Sequence, residues 1–390
     1  MTEKKPSLGI GLIGTGFMGK CHALAFRAAP AVFGHLPRLD LAVLADVDAR
    51  QAEDAARAFG FERATDDWRD LVADPAVDIV AITAPNYLHQ EMAEAAITAG
   101  KHVYCEKPLA LDAAGAGEMT KAAETAGMKT LVGYNYLHNP AIRLAKDMIE
   151  AGEIGEIVHF RGAHFEDYLA NPEVPYSWRS SKAKAGAGVV ADLGSHIISL
   201  ARRLVGEIEA VQAMLKIVVD ERPLPDGSGN KARVEVDDQA QMLLRFQDGP
   251  TGTIEASAVA AGRKMHLAFE LTGSKGTLAF DQERMNELRL FRFGDDPSRD
   301  GFKTILTAPA HQPYDRFCPA PGHGLGFNDL KVIEVAHLID GITTGAALDP
   351  DFRAAWQIAE VVDAAIRSDA ERCWTEVRPV TRSPTDRPGE

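Results

Sequence analysis

Gly14-Thr15-Gly16-Phe17-Met18-Gly19 is the first stretch of the chain whose residue types and spacing suit chemistry. It follows the apolar run Leu8–Ile13 and opens a helical pattern, so its glycines fall on a strand-to-helix turn. There the first glycine permits the tight turn, the second lets a pyrophosphate approach the backbone, and the third allows helix and strand to pack closely. Unpaired N–H groups at the helix start attract the phosphates. Gly14, Gly16, Phe17, Met18 and Gly19 are therefore expected to cradle a dinucleotide. Asp46 closes the next apolar run, Leu39–Ala45, where a carboxylate accepts hydrogen bonds from both hydroxyls of an adenine ribose and repels a 2′-phosphate. NAD is favoured over NADP on this ground, with Asp48 and Arg50 close by as the argument for the phosphorylated form.

A parallel sheet must hold such a cradle. The first 135 residues alternate short apolar runs with helical patterns, the mark of βαβ units. Strands are expected at Leu8–Ile13, Leu39–Ala45, Asp78–Ile82, His102–Cys105 and Lys129–Gly133. The helix after the glycines is expected to stop at Pro30, leaving Pro30–Arg38 as a loop insertion. Leu88, Met92, Ala95, Ala96 and Ala99 share a helical face that ends at Gly100. The pattern then changes. Asn139-Pro140 caps and opens a helix ending at Gly152. β-type runs follow near 156–165, 208–219, 234–247, 251–260 and 265–293, several joined by glycine turns that favour antiparallel pairing. A helical pattern at 193–205 interrupts them, and two helices close the chain. The expected fold is α/β: a doubly wound parallel Rossmann domain over 1–135, a second α/β domain over 136–378 on a large, mostly antiparallel open sheet, and a disordered tail over 379–390.

Composition narrows the partners. In 390 residues the net charge of −14 argues against nucleic acid and anionic membrane surfaces. The four cysteines, Cys21, Cys105, Cys318 and Cys373, form no CxxC pair and no zinc-type spacing, so neither disulfides nor a metal centre is expected. The segment MTEKKPS lacks a signal-peptide pattern, and no run approaches the ~20 apolar residues of a membrane span, which points to the cytoplasm.

Three more motifs carry a resemblance. Thr83-Ala84-Pro85-Asn86-Tyr87-Leu88-His89 and Glu106-Lys107-Pro108 follow strands of the first half, and Gly188-Val189-Val190-Ala191-Asp192-Leu193-Gly194-Ser195-His196 lies in the second. With the glycine fingerprint and the two-domain order, they make residues 8 to 370 or so resemble the Gfo/Idh/MocA family, that is, glucose–fructose oxidoreductase, inositol dehydrogenase and relatives. The resemblance implies NAD-dependent oxidation of a secondary ring hydroxyl on a sugar, cyclitol or related polyol. It also implies a homodimer or homotetramer joined through the outer sheet face, and a catalytic set of Lys107, Asp192 and His196.

Those types suit the reaction. An imidazole titrating near ~6.5 serves as base, His196 here. Asp192, four residues earlier, would share a helical face with it and orient or polarise it. Lys107, at the carboxyl end of a parallel strand, would polarise the reacting oxygen. Alone, each reads more readily as an ordinary structural or surface residue; their co-occurrence carries the assignment. The cofactor is further expected to meet Thr83, Pro85, Asn86, His89, Glu106, Lys107, Asn135, Trp178 and Arg179. Substrate is expected to meet Lys107, His164, Asp167, Asp192, His196 and His323, and Pro108 is expected to follow a cis bond. Two other functions use the same residues: glycoside cleavage through transient oxidation by a tightly held NAD, and NAD sensing without catalysis.

Overall fold

The computed structural model describes residues 7–294 and 297–380. Six parallel strands form the first sheet: β1 Leu8–Ile13, β2 Leu39–Ala45, β3 Arg63–Thr65, β4 Ile79–Ile82, β5 His102–Cys105 and β6 Thr130–Val132. Their order is β3-β2-β1-β4-β5-β6, so the chain reverses direction across the sheet between β1 and β4. In such sheets, ligands bind at that reversal, beyond the carboxyl ends of the strands. β1, β4 and β6 are buried on both sides, which is why they read as continuous apolar runs. Helices α1 Phe17–Phe33, α2 Ala49–Phe59, α3 Trp68–Ala73, α4 His89–Thr98 and α5 Ala113–Ala126 cross over between them, and α6 Pro140–Glu150 leads out. Asn139 caps α6, its side chain accepting from Ala141 N at 2.8 Å.

Two expectations fail in this half. α1 runs through Pro30 to Phe33 before Gly34, at φ 39°, ends it. Proline there removes one helical hydrogen bond, and burial of Phe33 edge-on to Phe317 at 6.0 Å outweighs the loss. The short strand β3, half exposed and three residues long, left no apolar run to recognise.

The second half holds β7 Ile157–Phe165, β8 Ile208–Lys216, β9 Glu221–Pro223, β10 Lys231–Arg233, β11 Gln239–Phe246, β12 Thr251–Ser257, β13 His266–Gly273, β14 Gly276–Asp281, β15 Glu287–Arg292, β16 Lys303–Leu306 and β17 Thr375–Glu376. Nine of them form one sheet, ordered β16-β15-β14-β13-β7-β12-β11-β8-β17, and β9 pairs with β10 in a separate hairpin. Every pairing in the large sheet is antiparallel except β7 with β12, which lie parallel. The helices are α7 Lys182–Ala185, α8 Val189–Asp192, α9 Gly194–Leu204, α10 Tyr314–Phe317, α11 Phe327–Thr344 and α12 Phe352–Glu371. α9 and α12 cover one face of the sheet, and Met214, Leu243, Arg161 and Glu270 stand exposed on the other. The helix expected over 193–205 is present as α9, and a short extra turn, α8, precedes it across Leu193. α11 leaves the second half and packs along α1. No helix among the described residues is long and apolar enough to cross a membrane. The expected tail lies, from residue 381, outside the described residues.

Candidate active site

The fingerprint turn sits where β1 gives way to α1. Gly14 adopts φ 99°, and a Cβ on Gly19 would fall 2.1 Å from the Gly14 carbonyl oxygen, so both positions require glycine. Gly16 faces open space, and no side chain caps the first turn of α1. The backbone N–H groups there are left for a ligand. Thr83, at the end of β4, donates its hydroxyl to Ile13 O at 2.8 Å and clamps the turn from across the reversal. At the end of β2, Asp46 accepts from Thr15 N at 2.9 Å and Thr15 Oγ1 at 2.5 Å, which fixes a carboxylate at the rim of the cradle. Gln51 donates to the same hydroxyl at 2.5 Å. An open glycine cradle, an uncapped helix start and a rim carboxylate fit a dinucleotide with a free ribose.

Beyond the cradle lies a cleft of about 710 Å³ between the two sheets. Lys107 enters it from the end of β5, through a cis Lys107–Pro108 peptide, as the resemblance implied. Asp192 and His196 enter from the other side on α8 and α9. Lys107 Nζ donates to Asp192 Oδ1 at 2.5 Å and to the Asp192 carbonyl at 2.8 Å. Tyr168 Oη donates to Asp192 Oδ2 at 2.9 Å. Burial works against the charge on Asp192, but the Lys107 ammonium overrides it and holds the carboxyl well below its usual range.

Asp192 does not touch His196, contrary to the one-face expectation. Leu193 separates the two helices that carry them, and the carboxylate serves Lys107 instead. His196 is packed edge-on against Tyr136 at 4.8 Å, Tyr134 at 5.5 Å and His164 at 5.5 Å. Burial first, then the positive charge of Lys107, push its imidazole well below the ordinary value, so it is neutral at neutral pH.

Several other expected residues line the same cleft: Phe17, Met18, Thr83, Asn86, His89, Glu106, Asn135, His164, Trp178 and Arg179. Asn135 is buried with its Nδ2 donor unpartnered, ready for a ligand acceptor. The Arg179 guanidinium stacks on Trp178 at 4.3 Å. His164 faces Leu193 O at 2.9 Å with Nδ1 and Glu166 Oε1 at 3.2 Å with Nε2, bracing the break between Asp192 and His196. His89 is structural: its two nitrogens lie 2.9 Å from the carbonyls of Ala84 and Pro108 and tie the β4 loop to the β5 turn. Pro85 starts the short 3-10 turn Asn86–Leu88.

Two substrate expectations are corrected. Asp167 points away from the cleft and pairs with Lys264 at 2.6 Å while accepting from Gly262 N. His323 is exposed outside the cleft, in a loop pinned by Tyr314 and Asn286.

The cleft also holds residues that were not expected. Glu166 lines it beside His164. Asp237 accepts from Gly188 N at 2.9 Å and Val190 N at 2.8 Å, so it anchors the start of α8, and burial pushes its carboxyl up to about 6. Arg222 is buried and donates to the carbonyls of Leu169 at 2.7 Å and Asn171 at 3.1 Å, holding the loop that bears Tyr168 over the cleft. No local spacing signalled any of the three. Spacing also gave no hint that His266, Asp281 and Glu283 gather within 4.8 Å on the sheet. There His266 pairs with Asp281 at 3.0 Å, while Glu283 is taken by Arg263 and the Lys264 N–H.

Known proteins match along the whole chain. Residues 8–134 match a family model described as oxidoreductase family, NAD-binding Rossmann fold, and residues 142–279 match the GFO/IDH/MocA C-terminal domain. Levoglucosan dehydrogenase of Pseudarthrobacter phenanthrenivorans is 40% identical over 383 residues, 95% of this chain and 98% of that protein. A structure of levoglucosan dehydrogenase with NADH and levoglucosan aligns at a TM-score of 0.93 and 40% identity, covering 96% of this chain and 100% of the other. An NAD-binding oxidoreductase from Klebsiella pneumoniae aligns at 0.92 and 45% identity with the same coverage.

Proposed function

The chain belongs to the Gfo/Idh/MocA family of NAD-binding oxidoreductases, and from that premise we propose that it oxidises a secondary ring hydroxyl of a neutral sugar, cyclitol or related polyol. One observation carries this reading: an ammonium from the first half and a neutral imidazole from the second line one cleft beside the fingerprint turn. The residues of the cradle and rim, Gly14 to Gly19 and Asp46, would hold NAD, which would supply the hydride acceptor.

The chain's own groups handle the proton. Lys107 has three N–H bonds, and the Asp192 carboxylate and carbonyl accept two of them. The third is free for the reacting oxygen, where it stabilises the alkoxide that develops. His196, neutral at working pH, takes the hydroxyl proton. Tyr168 and Lys107 together hold Asp192, so the ammonium cannot swing away. Leu169, Val174, Pro175 and Trp178 give the cleft an apolar wall. Glu166, Arg179 and Asn135 supply the donors and acceptors that a neutral polyol needs.

The chain works in the cytoplasm as a homodimer or homotetramer. Its four free thiols and the exposed open face of the large sheet support those two assignments.

A panel of levoglucosan, hexoses, inositols and simple glycosides, followed by absorbance of NADH, tests the function. Turnover on at least one neutral ring polyol is expected. Glycoside cleavage without net NADH would replace the dehydrogenase with the redox-assisted hydrolase, and NAD binding without any reaction would leave a sensor.

A further inference from the structure

Directly behind Lys107 lies a second cluster of charges, closed to solvent. Lys331 on α11 and Glu334 one turn later are both fully buried, and α11 delivers them from the second half against the end of β5. Lys331 Nζ donates to Glu106 Oε1 at 2.7 Å, Glu334 Oε2 at 2.9 Å and Tyr104 Oη at 3.1 Å. Those three acceptors use all three of its N–H bonds. His22 on α1 donates from Nε2 to the same Glu106 oxygen at 2.7 Å and stacks on Tyr104 at 4.3 Å. Burial and the Lys331 charge push its imidazole down to about 4, so it is a neutral donor.

Glu106 is the residue immediately before Lys107. Its other oxygen, Oε2, lies 3.4 Å from the Lys107 backbone nitrogen. On the far side a Cβ on Gly133 would fall 2.7 Å from Oε1, so the carboxylate is wedged in place. A buried carboxylate must have a counter-ion. Two ammonium groups flank this stretch of chain, Lys331 behind it and Lys107 in front.

We propose that Lys331 is a positioning residue for hydride transfer: it occupies Glu106 from behind, so that the Lys107 ammonium stays with Asp192 and the reacting oxygen. The inference rests on the reading of Lys107 given above. It has its own signature, because the damage done by losing Lys331 is inflicted by Glu106. Removing both charges together should undo much of it.

The test compares Lys331→Met, Glu106→Gln and the double variant in the full-length protein, on whichever substrate the wild type turns over. Lys331→Met is expected to lower kcat by roughly 50–500-fold with KM for NAD within about threefold. The double variant is expected to recover kcat to at least about one-tenth of wild type. A double variant below that level overturns the proposal, as does Lys331→Met with kcat within about twofold of wild type. If Lys331→Met does not fold, the double variant decides alone by the same one-tenth threshold. If the wild type turns over no substrate, the proposed function has failed, and a crystal structure of the double variant and of Lys331→Met still decides the inference. The Lys107–Asp192 contact should be intact in the first and broken or lengthened in the second; an intact contact in Lys331→Met overturns it.

Discussion

Two carboxylates in this molecule each grip an ammonium, and they lie one residue apart in the chain of contacts. Asp192 holds Lys107 at 2.5 Å with side-chain exposures of 31% and 16%, whereas Glu106 holds Lys331 at 2.7 Å with exposures of 8% and 0%. The chemistry of the pairs is the same; the access differs. In the first the ammonium faces the cleft and keeps one N–H free, while in the second the ammonium is fully buried behind Glu106 and every N–H is spent. A charge pair can react only if its partner leaves it a bond to give, and a closed pair can only hold.

The largest effect should come from breaking the open side. Lys107→Ala and His196→Ala are each expected to cut kcat by ~10²–10⁴ while NADH binding, followed by fluorescence, stays nearly unchanged. Near-normal turnover in both would erase the distinction between an open reacting pair and a closed holding pair.

The dry side is sharpened by stability rather than rate. Burial pushes the Glu334 carboxyl up to about 7 from an ordinary value of 4.5. A carboxyl raised on folding contributes stability that is full below its unfolded value and is lost as pH rises through the folded one. Thermal midpoints should therefore fall as pH rises from about 4.5 to about 7, and Glu334→Gln should flatten that slope, an effect on the order of 1–3 kcal/mol. The amide would also suit the site, since Glu334 Oε1 and His138 Nε2 are unpartnered and 4.0 Å apart. An unchanged slope in the variant would show that Glu334 is charged throughout and that the dry cluster carries an extra negative charge.

The smallest effect is expected at the rim, where Asp46 pairs with no cation among the described residues and leans on the Thr15 hydroxyl and N–H. Asp46→Ala should weaken NAD and narrow its advantage over NADP by roughly tenfold. KM ratios for the two cofactors measure this, and a constant ratio would mean that Asp46 holds the turn without reading the ribose.

The open side was legible in the sequence because its parts are contiguous motifs. The fingerprint, Glu106-Lys107-Pro108 and the segment from Gly188 to His196 each lie at a strand or helix end, where local spacing and element boundaries coincide. What failed there was direction. Asp167 follows the end of β7, and it and Tyr168 point opposite ways, one to Lys264 and the other to Asp192. The helix expected over 193–205 stands as α9, but the four-residue spacing could not show that Asp192 lies before it, on α8, and pairs with Lys107.

The dry side was illegible for a different reason. Lys331 and Glu334 stand three apart on a helix, which in sequence describes an ordinary solvated ion pair. Only the packing of α11 against α1 puts that face under protein, and nothing within the helix announces its neighbour. His323, in a glycine-rich loop before α11, drew attention instead, yet Tyr314 and Asn286 fasten that loop to the body of the second half.

The path of α11 has a consequence for anyone recombining parts of such proteins. The six-stranded half does not carry its own neutraliser: the cation that settles Glu106 is donated by a helix encoded nearly two hundred residues beyond that sheet's last strand. A chimera that joins this nucleotide half to a foreign catalytic half must therefore import α11 as well, or supply another buried base to replace Lys331.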